Sequence, residues 1–323
     1  MRTTVPSVRT LVLILVLSVS TLRSFSQSII TGNGKFEIGA GIGPMFFLGD
    51  LGGNYGKGTT FIKDVNLPLT KMAFGAYVSY HPTEWLGFRL AINKGKLEGY
   101  DSLIVDKGGD EYFRKNRNLQ FQSNLLEGYL AAEIYPSVFL EQYDGLQGKF
   151  RPYGVIGIGA FHFNPQGKYY DPSGRSSWVD LQPLHLEGQG FDEYPDRPNY
   201  SLTQIEIPMG GGFKYYIKEN MYVGMEVLFR KTFTDYIDDV SKDYIDPILF
   251  DKYLTPAQAV MAKQLFNRQG FIPGNTQTRQ NIVGEQRGNP KNNDNFFSTI
   301  LRFGWRLNQD DPGLHQMRCP SFY

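Results

Sequence analysis

Side chains that could support catalysis or bind a metal are few in this sequence, and they are scattered. The four histidines, His81, His162, His185 and His315, are far apart, and none has a cysteine or an acid at a spacing typical of a metal site. The sequence contains neither the G-x-S-x-G motif of serine hydrolases nor the H-E-x-x-H motif of zinc proteases. We therefore expect no enzymatic activity and no cofactor, and structural or solvated roles for the histidines.

Acidic residues are concentrated in one short stretch of the C-terminal half. It contains Asp235, Asp238, Asp239, Asp243 and Asp246. Carboxylates at such density could hold calcium, but the glycine and terminal glutamate of an EF-hand loop are missing at the required spacing. The favoured interpretation is a solvated loop whose aspartates cap turns, and a calcium site is the alternative.

Cys319 is the single cysteine, so the chain cannot form an internal disulfide. In an oxidising compartment an odd cysteine indicates either an intermolecular bridge or a free thiol. The neighbouring Arg318 favours the thiolate form, which is the reactive one. Two hypotheses remain open: an unused thiol, and a covalent or docking contact with a periplasmic partner.

The segment Asn295–Leu307 shows the pattern that dominates the sequence. From Phe297 onward every second residue is apolar or aromatic apart from Thr299, and the residues between them become charged toward Arg306. A period of two with many aromatics predicts a β-strand with one apolar and one polar face. The same pattern predicts seven further strands: Phe36–Gly49, Lys71–Tyr80, Trp85–Leu97, Leu119–Tyr135, Arg151–Phe163, Ser201–Ile217 and Met221–Phe233.

The connections between these predicted strands alternate in length. They are very short after the second and sixth strands and moderate after the fourth. The long connections follow the first, third, fifth and seventh strands: Asp50–Thr70, Glu98–Asn118, Asn164–Tyr200 and Thr234–Asp294. Long loops at one end and short turns at the other are typical of outer-membrane barrels, whereas a soluble sandwich has no reason to sort its loops in this way. The predicted fold is all-β: a closed antiparallel up-and-down transmembrane β-barrel of about eight strands, with short periplasmic turns and long external loops.

Charged residues fall on the faces of the predicted strands that are not apolar. We predict that they form a charge network in the lumen, with these members: Glu37, Arg89, Glu127, Glu133, Glu206, Lys214, Glu226, Arg230, Arg302 and Arg306. An eight-stranded barrel is just wide enough for side chains to fill it, so we expect a closed interior rather than a water channel. Facing lipid instead would cost roughly 2–4 kcal/mol for each Arg or Lys at the midplane.

The chain divides into three predicted regions. Residues 1–26 are predicted to be a secretory signal peptide, because Arg2 and Arg9 precede a short apolar run and small residues follow it. Residues 27–307 would form the barrel, integral to the outer membrane of a Gram-negative bacterium and in contact with its lipid. Residues 308–323 would form a periplasmic tail, because an even number of strands returns the chain to the side on which it began.

The last external loop, at about residues 234–294, is too long to lack structure throughout. Thr255 to Gln258 read as a capping box with proline at the first helical position, which predicts a short helix over Pro256–Asn267. The segment Gly270–Asn293 is polar and rich in glycine, asparagine and glutamine, and we predict that it is mobile. The net charge of +1 gives no basic footprint for nucleic acid, and no small-molecule substrate is expected.

Several segments in combination resemble the PorG family of outer-membrane barrels. They are FHFNPQGKYY (161–170), PLHLEGQG (183–190), YSLTQIEIPMGGGFKYYI (200–217), TFTDYIDDVSKDY (232–244) and MRCPSF (317–322). The resemblance implies a non-enzymatic barrel of the type IX protein secretion and gliding-motility machinery. It also implies contact with the periplasmic ring formed by the PorK lipoprotein and PorN, and a cysteine at 319 that could bridge to a ring subunit. The segment Pro247–Asn293 is not part of the resemblance.

The sequence therefore predicts a non-enzymatic barrel that anchors or organises the periplasmic ring of a type IX secretion system. Three other functions remain as alternatives. A small porin or transport barrel would need a wider lumen. An outer-membrane enzyme would need a Ser, His and Asp cluster near the outer rim. A surface adhesin or receptor would use the two longest external loops.

Overall fold

A computed structural model describes residues 35–51, 70–104, 111–139, 149–218, 220–269 and 282–307 of the chain. Nine strands and three short α-helices lie within these ranges. The strands are β1 (Lys35–Leu48), β2 (Lys71–His81), β3 (Leu86–Tyr100), β4 (Gln120–Ile134), β5 (Phe150–Tyr170), β6 (Ser176–Asp180), β7 (Thr203–Lys218), β8 (Met221–Thr232) and β9 (Asn295–Arg306). The helices are α1 (Glu111–Arg117), α2 (Leu249–Tyr253) and α3 (Pro256–Phe266).

Eight of the strands form a closed antiparallel barrel. Each strand pairs with the next along the chain, β5 pairs with β7, and β9 pairs with β1 to complete the circle. The remaining strand, β6, pairs only with the end of β5 and lies outside the circle. Closure leaves no barrel strand with an unpaired edge, which is the condition for a sheet to span a bilayer. The predicted fold class is confirmed.

The connections sort by length as the sequence predicts. Residues 82–85, 135–149 and 219–220 join strands at one end, which we call the short-connection end. Residues 49–70, 101–119, 171–202 and 233–294 join strands at the opposite, long-connection end. The strand predictions are confirmed to within three residues at each end, apart from the end of β5, which continues to Tyr170 and forms a hairpin with β6 inside the segment predicted to be a loop.

Side chains alternate between the outside and the inside along most of each barrel strand. The outward side chains are large, apolar and exposed, and we call them the apolar band. The band includes Phe36, Ile38, Phe74, Val78, Phe88, Leu90, Ile92, Leu126, Leu130, Ile134, Ile156, Ile158, Ile205, Val227, Leu301, Phe303 and Trp305. Ile158 and Leu90 are 68% and 64% exposed, so in water this surface would be strongly unfavourable. Such a band is what a barrel presents to lipid.

The inside of the barrel changes character along its axis. Charged and tyrosine side chains fill it from the short-connection end to beyond its middle. An apolar layer closes it toward the long-connection end; its buried members include Met45, Leu97, Phe121, Leu125, Phe161, Phe163, Phe296 and Ile300. Ile237 and Val240, from the β8–β9 connection, pack into the same layer. The long connections are therefore anchored onto the barrel rather than projecting freely from it.

Residues 165–202, 233–269 and 282–294 form a compact unit above the barrel, which we call the lobe. Its own core is apolar and includes Leu184, Leu186, Phe191, Ile245, Phe250, Ala262, Phe266 and Ile282. Helix α3 packs against the β5–β6 hairpin, where the Gln264 amide both accepts from the Tyr170 backbone N–H (2.8 Å) and donates to the Tyr170 carbonyl (2.9 Å). The predicted helix is confirmed, as is its capping box between Thr255 and Gln258.

Two expectations about the lobe need correction. The hairpin strand β6 and helix α2 lie in segments predicted to be loop, because their stability comes from packing in the lobe and not from a strong local pattern. The segment 282–293 was expected to be part of a mobile polar stretch. Instead, Ile282 lies in the lobe core, and Arg287 forms a buried ion pair with Glu187 at 2.8 Å.

The predicted signal peptide (1–26), the predicted tail (308–323) and part of the predicted mobile stretch (270–281) lie outside the described residues. Within the described ranges, no helix has the length and apolar character needed to cross a membrane.

Candidate functional site

The structure places all ten predicted network residues inside the barrel. Nine of them are essentially excluded from solvent, and Arg306 is partly exposed at the short-connection end. The β1–β9 register sets Glu37 directly opposite Arg306, so the two ends of the barrel sheet are joined by an ion pair as well as by backbone hydrogen bonds. The network is arranged in three layers along the axis.

The lower layer, nearest the short-connection end, is built around Glu37, Glu133 and Lys214. The Lys214 ammonium donates to Glu37 at 2.7 Å and to Glu133 at 3.1 Å, which links walls on opposite sides of the barrel. Arg306 and the imidazole of His81 also contact the Glu37 carboxylate, at 3.1 and 3.3 Å. Three positively charged or chargeable groups therefore share this one acid.

The middle layer is built around Glu226. Arg89 bridges the layers, because it donates to Glu133 through Nε (2.5 Å) and to Glu226 through Nη1 (2.6 Å). Arg302 forms a further ion pair with Glu226, and the Tyr153 hydroxyl donates to the same carboxylate at 2.7 Å. Since Arg89 and Glu226 are fully buried, each charge depends on its partners for the stabilisation that water would otherwise supply.

The upper layer joins Arg230 to Glu127. The guanidinium donates through Nη2 (2.5 Å) and Nε (3.1 Å), a two-pronged geometry that suits a carboxylate. The Asn93 amide donates to Glu127 as well, at 2.5 Å. Glu206 is fully buried next to this pair and has no ion pair of its own within the described part of the chain.

A set of buried tyrosines, which was not among the residues predicted from the sequence, completes the network. The Tyr77 and Tyr222 hydroxyls meet across the interior at 2.6 Å. Arg302 lies over the Tyr77 ring, with 4.6 Å from its Cζ to the ring centroid, and Lys214 lies over the Tyr222 ring at 4.7 Å. These tyrosines could have been predicted from the alternation of side chains along the strands. Each lies on the same face as a predicted network residue, which is either on its own strand or on a strand that pairs with it.

Inward-facing glycines make room for the large side chains. A Cβ added at Gly39 would lie 2.3 Å from the Tyr77 hydroxyl oxygen, and one added at Gly304 would lie 2.1 Å from the Tyr222 Cζ. Neither position can therefore carry a side chain without displacing a tyrosine. Glycine-rich strands and bulky charged or aromatic neighbours together fill the cross-section of the barrel.

In the lobe, the buried carboxylate of Glu187 connects segments that are distant in sequence. It accepts from the backbone N–H groups of Ser241 (3.0 Å) and Lys242 (2.9 Å), and it pairs with Arg287. The glycines on either side of Gln189 adopt positive φ angles of 75° and 78°, which fold the PLHLEGQG segment into a tight turn. Glu187 thus has a structural role that the sequence did not reveal.

Carboxyl groups also gather where the lobe meets the barrel. Asp50, Asp235, Asp238 and Asp294 come from three different segments, and we call them the carboxyl cluster. Burial raises the pKa of Asp235 to about 9, and the neighbouring Asp50 adds to the effect. Burial, followed by repulsion from the other three members, raises the pKa of Asp294 well above its usual range. Burial and mutual repulsion therefore favour the protonated forms of these carboxyls.

The five aspartates that could have held calcium do not form a metal site. Asp238 caps the backbone N–H groups of Leu51 (2.9 Å) and Val240 (3.0 Å), and Asp246 caps that of Ile248 (2.9 Å). Capping was the favoured interpretation, but the expectation of a solvated loop was wrong, because Asp235, Asp238 and Asp239 are buried. Across the described ranges, no group of three or more His, Cys, Asp or Glu residues is placed to hold a metal ion.

The histidines lie in separate environments. His81 contacts Glu37, the exposed His162 ring meets the Thr203 hydroxyl at 3.0 Å, and His185 packs against Phe191. His315 and Cys319 lie outside the described residues.

No family model and no curated protein sequence matches the chain. Among solved structures, it is similar to a major outer membrane protein from Thermus thermophilus, with 13% identity, a TM-score of 0.37, and coverage of 85% of this chain and 100% of that one. It is also similar to OprG from Pseudomonas aeruginosa (12% identity, TM-score 0.36, coverage 87% and 99%). A third similar structure is Ail, the attachment invasion locus protein of Yersinia pestis (8% identity, TM-score 0.33, coverage 85% and 97%).

These similarities are too weak to carry an argument about function. The strand pairing, the apolar band and the sorting of connections by length decide the architecture on their own. The chain is built as an outer-membrane β-barrel. Its interior is a closed network of ion pairs, and its long connections fold into a packed lobe.

Proposed function

We propose that this barrel is a membrane anchor for a periplasmic assembly, and that the assembly is the ring of a type IX protein secretion system. In this role the apolar band fixes the height and tilt of the protein in the outer membrane. The short-connection end faces the periplasm and holds the partner, and the lobe faces the exterior. The protein carries out no chemistry.

The filled interior is the observation that supports an anchor over a channel. Arg89, Lys214 and Arg230 reach across the lumen to carboxylates on other strands, and the apolar layer lies above them. A solute would have to break several buried ion pairs to pass, and separating such a pair costs about 3–5 kcal/mol. A rigid, closed barrel is better suited to holding a partner in a fixed position than to transporting solutes.

The type IX assignment rests on the sequence resemblance. The resembling segments PLHLEGQG and TFTDYIDDVSKDY are not independent in the structure, because Glu187 of the first accepts from two backbone N–H groups of the second. The resemblance thus includes residues that depend on one another for their conformation. The partners it implies are PorK-like and PorN-like ring proteins.

Deletion of the gene in the native bacterium tests this proposal. We expect loss of secretion of type IX cargo proteins and loss of the ring from the outer-membrane fraction, both restored by the wild-type gene. Normal secretion together with an intact, membrane-associated ring would contradict the proposal. The amount of ring protein in the outer-membrane fraction is measured separately from the abundance of other outer-membrane proteins, so that a general envelope defect is recognised.

A conductance measurement separates the anchor from a porin or transporter. The purified barrel in a planar lipid bilayer should show no stable ion conductance, because buried ion pairs and an apolar layer fill the described part of its lumen. A known open porin reconstituted in the same way serves as the positive control. Steady channels from this protein, with the same conductance from one insertion to the next, would favour the transport function instead.

The single cysteine gives a covalent version of the anchor. If Cys319 bridges to a ring subunit, non-reducing gels of envelope fractions should show a high-mass band containing this protein, which disappears on reduction and in the Cys319→Ser variant. The matched control is Ser321→Ala, which changes the same tail segment but keeps the thiol. Identical migration of wild type and Cys319→Ser would contradict the bridge but leave non-covalent docking intact.

A surface receptor or adhesin is the second candidate function, and the packed lobe favours it. The lobe has its own apolar core and an ion-paired surface, including Lys263 with Asp251 (2.6 Å). A folded external structure suits recognition of another surface better than a loose loop does. Replacing residues 249–268 with a short glycine-serine linker would then abolish binding to the target while leaving secretion unchanged.

A further inference from the structure

A small recess opens at the short-connection end of the barrel, and basic side chains surround it. Its lining includes Lys35, His81, Arg151 and Arg306, with Tyr135 and Tyr216 as aromatic walls. Glu84 is the acid at its edge. The enclosed space measures about 20 Å³, which is room for the tip of a side chain rather than for a bulky ligand.

Two of these cations have no counter-ion of their own. Arg151 and Lys35 form no ion pair with any described residue, and the Nε of Arg151 is buried without a hydrogen-bond acceptor. Arg306 does have a partner, but it shares the single Glu37 carboxylate with Lys214 and His81. The recess therefore has an excess of positive charge, and the Arg151 Nε is a buried donor with no acceptor among the described residues.

The two guanidinium groups are held in place by the same aromatic ring. The Cζ of Arg306 lies 4.6 Å from the centroid of the Tyr216 ring, and the Cζ of Arg151 lies 6.0 Å from it. The Arg306 guanidinium also donates to the Tyr216 hydroxyl at 2.6 Å. Guanidinium groups fixed in this way are prepared to receive a planar oxyanion through two parallel hydrogen bonds.

The location of the recess favours a group that enters from the aqueous phase. Its walls are inward-facing residues at the barrel mouth, such as Tyr135 and Tyr216, and not members of the apolar band. A phospholipid headgroup would approach along the outer wall, where those side chains cannot reach it. An acidic side chain on a protein docked against the barrel mouth can reach the recess directly.

We propose that this recess is a carboxylate-binding site that receives an aspartate or glutamate side chain of the periplasmic partner. The identity of that partner rests on the proposed anchoring function, but the binding chemistry does not. Arg151 and Lys35 supply the charge, and the half-buried guanidinium of Arg151, which forms no ion pair among the described residues, supplies hydrogen-bond donors. The site would fix the rotational setting of the partner on the barrel.

The site can be tested with a defined probe. The barrel is reconstituted in lipid nanodiscs with ¹⁵N-labelled arginine and titrated with the blocked tripeptide Gly-Glu-Gly, with Gly-Gln-Gly as the uncharged control. We expect the Arg151 Nε–H signal to shift with the acidic peptide only. In the double variant Arg151→Gln with Lys35→Gln, binding of the acidic peptide is followed through the Arg306 signal. This variant should bind the peptide about tenfold more weakly, which is the loss expected for a charge-assisted hydrogen bond.

Arg175→Gln is the matched control variant, because Arg175 is exposed on the β5–β6 hairpin at the opposite end of the protein. It should bind like wild type. Neither Arg151 nor Lys35 contributes an ion pair among the described residues, so the double variant should fold, and the different gel migration of heated and unheated samples checks this. Equal shifts with both peptides, or no shift with either, would overturn the inference.

A second arm distinguishes a lipid from a protein source of the oxyanion. Short-chain phosphatidylglycerol is titrated in place of the peptide. Binding of the lipid but not of the acidic peptide would overturn the carboxylate assignment. If the peptide fails to bind while gene deletion still abolishes secretion, only this inference fails and the anchoring function stands.

Discussion

Replacing Glu226 with leucine should destabilise the barrel by about 3–5 kcal/mol, the cost of leaving a buried charge without its partner. The carboxylate accepts from Arg89 and Tyr153, and it forms an ion pair with Arg302. Without it, Arg89 retains Glu133, but Arg302 has no other carboxylate partner among the described residues and keeps the Tyr129 hydroxyl at 3.3 Å and the face of the Tyr77 ring. The free energy of unfolding can be measured from urea titrations of the barrel in lipid vesicles.

A double variant shows whether the loss is due to charge. Glu226→Leu combined with Arg302→Leu removes both members of the pair, and we expect it to recover a large part of the lost stability, since an apolar pair of similar volume is often tolerated in place of a buried ion pair. Glu84→Leu, at the exposed short turn, is the matched control and should have little effect. If Glu226→Leu costs less than about 1 kcal/mol, the network is not the stabilising core described here.

Raising the pH should destabilise the lobe before it affects the barrel. Burial and the proximity of Asp50 raise the pKa of Asp235 to about 9, while the Ser241 hydroxyl acts in the opposite direction. Burial raises the pKa of Asp239 to about 7, although Arg287 and the Tyr200 hydroxyl oppose this shift. Carboxyls with raised pKa values hold protons in the folded lobe that they lose in the unfolded chain. The stability that these carboxyls contribute to the folded lobe is therefore greatest when the pH is below their pKa in the unfolded chain, about 4. This contribution decreases as the pH rises to about 9.

Trp178 reports on this change because it lies in β6, inside the lobe. Trp85 and Trp305 are replaced by phenylalanine, and the urea midpoint of Trp178 fluorescence is measured from pH 5 to pH 9. We expect a lower midpoint at each higher pH. Asp294→Asn keeps an acceptor for the Ile237 N–H (2.9 Å) but removes one member of the carboxyl cluster, so its midpoint should depend less on pH. A midpoint that rises with pH in the wild type would contradict this account.

The sequence predicts the barrel well because its information is local and periodic. Alternation places Glu37, Arg89 and Lys214 on one face, and the cost of exposing them to lipid determines that this face points inward. Their specific partners cannot be predicted in the same way. Lys214 pairs with Glu37, which is 177 positions away, and the strand register that brings them together is fixed only when the barrel closes.

The lobe was harder to predict for a related reason. The strand β6 and the helix α2 are short, and their sequences have no strong periodicity. Packing within the lobe therefore determines where they form. The role of Glu187 depends on backbone N–H groups at positions 241 and 242. No pattern within the PLHLEGQG segment could indicate a partner so distant in the chain.

Site-specific photo-crosslinking tests the central claim most directly. A photoreactive amino acid is placed at Thr83, in the short β2–β3 connection, or at Ser173, at the tip of the β5–β6 hairpin in the lobe, and crosslinked products from living cells are identified by mass spectrometry. An anchor for a periplasmic ring predicts crosslinks to PorK-like or PorN-like proteins from Thr83 and none to these proteins from Ser173. Crosslinks to ring proteins from Ser173, or an absence of any periplasmic partner at Thr83, would contradict it.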